Sequence, residues 1–348
     1  MHVVFITPGY AKDEKDSTTI PPLQAFARKL TENGVDVTVL AIDFPLNAGR
    51  FNIGKVEVVS CGGSNRGWPL KAFTLLKAVR EFSIIHKRKR VDVVNSFWWQ
   101  DTAVLGSWLA KRYNIPHLTT CLGQDVLGTN KYAQWFSAKG EYVVTLSAFH
   151  AQKFKQTFGR ECNEIIPLGI EPSEFTATEI WNKDIDIIGV GSLIDVKNYD
   201  EFIDVVALVK QRMPGIKCVL VGDGKNRQKL EQKVNAMGLS ANLRFTGLLP
   251  RVDVLDLMAQ SRVFLHTSRF EGIGYVFLEA LMARARIVSH EVGMANSSNA
   301  LIGTSATELA QHVISVLGNE DSFVAPPLYT AQQTAESYIR LYQKLLNS

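Results

Sequence analysis

Short apolar runs alternate with helix-spaced apolar positions along nearly the whole chain. "HVVFIT" near the N-terminus lacks polar alternation, which predicts a strand buried on both faces. Leu23, Phe26, Ala27 and Leu30 then recur at helical spacing, and Gly34 stands where that helix should end. "VDVTVLAI", "VEVVS", "VDVVNS", "HLTT" and "YVVTL" predict further strands, with amphipathic stretches between several of them. The pattern pauses over Ile165 to Asp184, where Pro167, Gly169 and Pro172 interrupt it, and an interdomain linker is expected there. It then restarts. "IDIIGVG", "KCVLVGDG", "LRFTG", "VFLHTS" and "RIVSH" read as strands, with helices carried by Phe202, Val205, Val206 and Val209, by Leu230, Val234 and Met237, and by the run after Gly274. Such alternation predicts two successive α/β units, each with a mainly parallel sheet covered by helices. The tail closes with one more helix, whose stripe Ala335, Tyr338, Ile339, Tyr342, Leu345 and Leu346 must be buried somewhere.

A length of 348 residues also favours two cores over one. With 46% hydrophobic and 21% charged residues, extended disorder is excluded. A net charge of +4 does not mark a nucleic-acid binder. The basic run "HKRKR" (His86 to Arg90) has two readings: a solvated helix end whose cations suit the dipole, or a patch touching anionic lipid. Cys61, Cys121, Cys162 and Cys218 form no close pair, so neither a zinc site nor a disulfide framework is indicated. No signal-peptide pattern opens the chain, and no apolar run approaches the roughly 20 residues of a membrane span. A cytoplasmic protein, at most peripheral on the inner face of a membrane, is expected.

In open parallel sheets ligands bind beyond the carboxyl ends of the strands. Glycines and charges collect there in both halves: "TPGY", "CLGQD", "GVGSLIDVKN", "GDGKN" and "TSRFEGIG". Turn-making alone explains any one of these loops, but explains five together less well. A helix starting at "GIGYVF" offers unpaired N–H groups suited to phosphate. Glu271 and Glu279 are poor phosphate ligands but good acceptors for sugar hydroxyls, and Lys197 can neutralise diphosphate charge. A ligand with phosphate and sugar together is implied. The dinucleotide fingerprint and the Walker A loop are absent, which disfavours a nicotinamide oxidoreductase. "DID" (Asp184 to Asp186) opens a strand rather than ending one, so it reads as a strand edge, and no histidine shows metal-ligand spacing.

The ordered blocks "YNIPHLTTCLGQD", "VVTLSAFHAQKF", "IIPLGIEPSEF", "VGSLIDVKNYDEFIDVV", "VLVGDG", "LRFTGLL" and "EGIGYVFLEALMARARIV" resemble retaining glycosyltransferases of family 4. The most specific block is the E-x7-E of Glu271 and Glu279. The resemblance implies a GT-B fold, with two Rossmann-like domains facing across a cleft. Residues 1–168 would form the acceptor domain, residues 169–329 the donor domain, and a helix over 330–348 would cross back to the first. It implies hexosyl transfer from a nucleotide-diphosphate sugar to a glycan, lipid-linked or small-molecule acceptor, in polysaccharide synthesis, without metal or cofactor. Lys197 would meet the diphosphate, Glu279 the ribose and Glu271 the transferred sugar. Gly191, Ser192, Gly222, Leu249, Gly272, Ile273, Gly274, Tyr275 and Val276 would line the donor site. Gly9, Gly123 and Asp125 would line the acceptor side, with Asp125, Glu271 and Lys197 as the catalytic set. The chain departs from the pattern in having Ser192 where arginine is usual, Leu122 where histidine is usual, and "PGYAKDEKDSTT" in place of a glycine pair. A degenerate nucleotide-sugar binder and a GT-B epimerase or phosphorylase are the alternatives.

Overall fold

The structure, a computed structural model, describes residues 1–64, 67, 70–174, 183–319 and 328–348. The chain divides into two units: Met1–Glu171 with Tyr329–Ser348, and Pro172–Leu328. The centre of the expected linker, residues 175–182, lies outside the described residues.

The first unit runs β1 (His2–Gly9), α1 (Pro21–Glu32), β2 (Asp36–Phe44), β3 (Gly49–Ile53), β4 (Val56–Ser60), α2 (Leu70–Arg88), β5 (Val93–Phe97), α3 (Asp101–Tyr113), β6 (His117–Thr120), α4 (Lys131–Trp135), β7 (Tyr142–Thr145), α5 (Ala148–Phe158) and β8 (Glu164–Ile165). Its sheet has the order β3-β4-β2-β1-β5-β6-β7-β8, and every pair is parallel except β3 with β4. Val3 to Ile6 are fully buried, as a central strand covered on both faces requires. α1 starts on Pro21 and Pro22. It ends as expected near Gly34, which takes φ 79° while the Val35 amide donates to the Leu30 carbonyl, 3.0 Å away.

The second unit runs β9 (Ile185–Val190), α6 (Tyr199–Arg212), β10 (Cys218–Val221), α7 (Arg227–Ala236), β11 (Leu243–Gly247), α8 (Arg251–Ala259), β12 (Ser261–His266), α9 (Tyr275–Met282), β13 (Arg286–Ser289), β14 (Leu301–Ile302) and α10 (Ala306–Gly318). The sheet order is β11-β10-β9-β12-β13-β14, all parallel. Phe202, Val205, Val206 and Val209 of α6 are buried together with Leu230 and Val234 of α7. Met237, expected on the same face, is instead the exposed C-cap of α7.

The last helix, α11 (Ala331–Leu346), belongs to the first unit and packs on α1. Its buried side is Ala331, Thr334, Ala335, Tyr338, Leu341 and Tyr342. The stripe is thus rotated from the expected one, with Leu346 exposed and Leu341 inside. The Tyr338 ring packs against Phe26, tilted by 45° with centroids 4.5 Å apart, and the Tyr342 hydroxyl accepts from Asn95 Nδ2 at 2.9 Å.

At "HKRKR", α2 ends with Arg88 on Glu57 and Lys89 on Asp36. Asp186 accepts the Lys217 amide at the edge of β9. The four cysteines are free. Among the described residues no helix is long and apolar enough to cross a membrane.

Candidate functional site

In the second sheet, β9 is flanked by β10 on one side and β12 on the other, so the strand order reverses there. The loops leaving β9 and β12 therefore stand next to each other at the carboxyl edge, where such folds bind ligands. They are tied together. The Arg269 amide donates to the Val196 carbonyl at 2.8 Å, Ser268 Oγ donates to the same carbonyl, and Thr267 Oγ1 donates to the Lys197 and Asn198 carbonyls. This is why residues more than seventy positions apart become neighbours.

Lys197 Nζ lies 2.5 Å from Glu271 Oε1, and His266 Nε2 lies 2.8 Å from the same oxygen. Both the Lys197–Glu271 pair and His266 are shielded from solvent. A carboxylate oxygen only accepts, so Nε2 must carry the imidazole proton. Burial pushes the Glu271 pKa up, but the His266 hydrogen bond and the Lys197 charge outweigh it and hold the carboxyl at about 2. Burial lowers His266, leaving it neutral. No partner of Glu271 Oε2 occurs among the described residues. The sequence reading placed Lys197 on a diphosphate and Glu271 on a sugar as separate contacts. The structure brings them together as one ion pair and adds His266, which the sequence reading gave no role. Nearby, the Tyr199 hydroxyl is buried and has no hydrogen-bond partner among the described residues.

The glycines of this edge differ in what they do. A Cβ on Gly222 would fall 2.0 Å from the Gly191 carbonyl oxygen, so the ends of β9 and β10 close only around a glycine. Gly274, the N-cap of α9, has φ 71°, and a Cβ there would meet the Phe277 ring at 2.5 Å. Its turn starts α9 beside the Glu271 stem, whose Cγ a Cβ on Gly274 would meet at 3.4 Å, and the Phe277 amide closes it on the Gly274 carbonyl at 2.8 Å. Ile273 is held by its carbonyl, which accepts the Met294 amide at 2.9 Å. Ser192 accepts the Ile194 amide through its own carbonyl.

Glu279, on α9, is met by Arg251, the first residue of α8. Nε and Nη2 lie 3.0 and 2.9 Å from Oε1, and the guanidinium also lies over the Tyr275 ring. The sequence reading set Glu279 on the ribose and named no protein partner for it. Leu249 lines a separate pocket of about 460 Å³ with Arg244, Phe245, Thr246 and Asp253, which neither glutamate reaches.

In the first unit, Asp125 Oδ1 accepts the Gly123 amide and Oδ2 the Trp99 amide, each at 2.7 Å. Burial raises the Asp125 carboxyl to about 6 despite these bonds. His150 is also buried: its Nδ1 accepts the Leu146 amide, its Nε2–H donates to the Gly123 carbonyl at 3.0 Å, and burial holds it at about 4. As placed, Asp125 organises the loop after β6 through backbone amides, and His150 fastens the same loop from α5. Gly9 ends β1 beside Phe44, and its carbonyl accepts from Thr7 Oγ1. The first loop, "PGYAKDEKDSTT", is gathered by Asp16, which accepts from the amides of Lys12, Thr18 and Thr19.

Comparison with known proteins follows the same division. The family model described as Glycosyltransferase Family 4 matches residues 23–174, and that of Glycosyl transferases group 1 matches residues 171–322. The Vi polysaccharide biosynthesis protein VipC/TviE of Salmonella typhi is 28% identical over 173 residues, covering 47% of this chain and 27% of that protein. The matches span only 27%, 28% and 31% of the length of the first curated relatives. Among solved structures, sucrose-phosphate synthase from Thermosynechococcus elongatus superposes with a TM-score of 0.73 at 16% identity, covering 99% of each chain. Anabaena HepE in complex with UDP-glucose gives 0.66 at 18% identity, covering 99% of this chain and 98% of that one. Matched by the two models in succession, the chain belongs to the family 4 glycosyltransferases and has the two Rossmann-like domains of the GT-B fold.

Proposed function

We propose that the protein transfers a hexosyl group from a nucleotide-diphosphate sugar, with retention of configuration and without metal, to a glycan, lipid-linked or small-molecule acceptor in polysaccharide synthesis. The observation that carries this reading is the meeting of Lys197 and Glu271, 2.5 Å apart, at the strand-order reversal beside the first amides of α9. A diphosphate entering there competes with Glu271 for the lysine cation. Its negative charge grows as the glycosidic bond breaks, so Lys197 and the α9 amides bind the departing group more tightly in the transition state than in the ground state. Glu271 keeps its charge through His266, and its Oε2 is available to sugar hydroxyls. Lys197 and the α9 amides are protein groups that can carry the phosphate charge. HepE is solved with UDP-glucose, so a uridine diphosphate sugar is the first donor to try.

A second reading has a specific observation behind it. Lys197 and Arg251 are each engaged by a glutamate, and Ser192 supplies no cation. A binder of nucleotide sugars that does not turn them over fits that arrangement. Thermal-shift titration with UDP-, GDP- and ADP-sugars tests the donor site, because a ligand of the folded state raises the melting point with concentration over affinity. One donor should stabilise the protein, and no shift with any of them would overturn both readings. Product analysis over an acceptor panel then separates them: glycoside formation supports transfer, and binding without product supports the second.

A further inference from the structure

The outward face of α2 carries an unexplained composition. The helix already buries Ala78, Phe82 and Ile85 against the core, so packing asks nothing apolar of its other side. Yet Leu70, Phe73, Leu76 and Ile84 are 48, 67, 66 and 40% exposed. Isolated exposed apolar residues are ordinary on a protein surface, but a grouped set marks a contact. At 3.6 residues per turn these four fall on one arc of about 120°, together with Lys77, Arg80, Lys87 and Arg88, of which Lys77 donates to the Cys61 carbonyl and Arg88 pairs with Glu57. The arc contains no acidic residue. Glu81, just beside it, is turned to Arg50 of β3 at 2.5 Å. Arg80 and Lys87 are exposed and have no ion-pair partner among the described residues.

We propose that this stripe docks the protein on an anionic lipid surface, the apolar side chains entering the interface and the cations meeting lipid phosphates. Charge complementarity selects this occupant. A second copy offers no carboxylate on its own stripe to receive Arg80 and Lys87, and covering them with protein would leave buried, unpaired cations. The placement is suggestive as well. α2 follows β4, so its apolar end lies at the carboxyl edge of the first sheet, the edge that carries Gly9 and Gly123. Docking there would set that edge against the lipid, where a lipid-linked acceptor would be found. This last step rests on the transferase reading, whereas the docking itself does not.

The test is co-sedimentation of the full chain with vesicles of phosphatidylcholine alone and of equal parts phosphatidylcholine and phosphatidylglycerol. The protein should bind the anionic vesicles and release in high salt. Phe73→Ser with Leu76→Ser, and separately Arg80→Glu with Lys87→Glu, should each weaken binding about tenfold or more. Both variants should keep the melting point and any nucleotide-sugar shift, so a failed donor site and a failed lipid surface give different results. Absence of binding to anionic vesicles, or unchanged binding in both variants, would overturn the proposal. So would a wild-type dimer, seen by sedimentation, that the serine variant converts to monomer.

Discussion

At the scale of single residues, the site turns on one oxygen. Glu271 Oε1 holds Lys197 and His266 together, so each neighbour's removal has its own signature. Lys197→Ala should cut turnover strongly without unfolding the unit, because Glu271 Oε1 keeps its hydrogen bond from His266. Turnover equal to wild type in that variant would reject the phosphate role. His266→Ala removes the donor that does most to hold the Glu271 carboxyl at about 2. The Glu271 pKa should rise towards the ordinary value of about 4.3, and the acid limb of the pH–rate profile should move up with it. A histidine that only fills space would lower the rate without moving that limb. Lys197 and Glu271 were legible in the sequence because both stand in strand-end loops. His266 was not, since it is the last residue of a buried strand and only the sheet geometry turns its ring onto Glu271. Arg251 was hidden for a related reason: its partner lies one helix further on.

At the scale of elements, the alternation of buried runs and helical stripes made the central strands readable, since β1, β2 and β9 are mostly apolar and β5 is buried throughout. β3 was not readable. It is an exposed antiparallel edge strand, so it lacks the buried run that marks the others. The loop after β6 shows what such readings leave out: two buried titratable groups pulling in opposite directions. Asp125 is raised to about 6, so the fold prefers it protonated, and its contribution to stability grows as pH falls from about 6 towards its ordinary range. His150 is lowered to about 4, so the fold needs it neutral, and its contribution is full above 6.5 and lost as pH falls towards 4. Each effect is worth ~3 kcal/mol over its full span. They offset each other in the same window. Asp125→Asn should therefore make the first unit lose stability more steeply between pH 6.5 and 4 than wild type, and His150→Gln should reverse the slope. Urea unfolding followed by tryptophan fluorescence reads this, since every tryptophan except Trp181 lies in that unit. Parallel curves for the three proteins would show that these groups do not govern the acid response.

At the scale of the whole molecule, the question is why the chain returns to its first unit at the end. The amphipathic tail announced a helix in need of a partner. That the partner is the first unit came from family resemblance, because nothing in the stripe itself names the surface it covers. The structure supplies the physical reason. Tyr338 and Tyr342 carry hydroxyls into the first unit, where Thr120 Oγ1 lies 2.9 Å from the Tyr338 hydroxyl and Asn95 Nδ2 donates to Tyr342. Thr120 and Asn95 also bond each other at 3.1 Å, so the four form one buried polar network. Without α11 these groups would face either water or nothing, at a cost of roughly 1–3 kcal/mol for each one left unsatisfied. A fragment of residues 1–171 should accordingly melt low and broadly. Adding a peptide of residues 329–348 should raise its melting point logarithmically with concentration, as binding to the folded state demands. A peptide carrying Tyr338→Phe and Tyr342→Phe keeps the rings but leaves Asn95 Nδ2 without its acceptor and Thr120 bonded to Asn95 alone, so it should need about tenfold or more higher concentration for the same shift. Should neither peptide move the melting point, α11 would be a covering helix of the first unit and no part of its cooperative core.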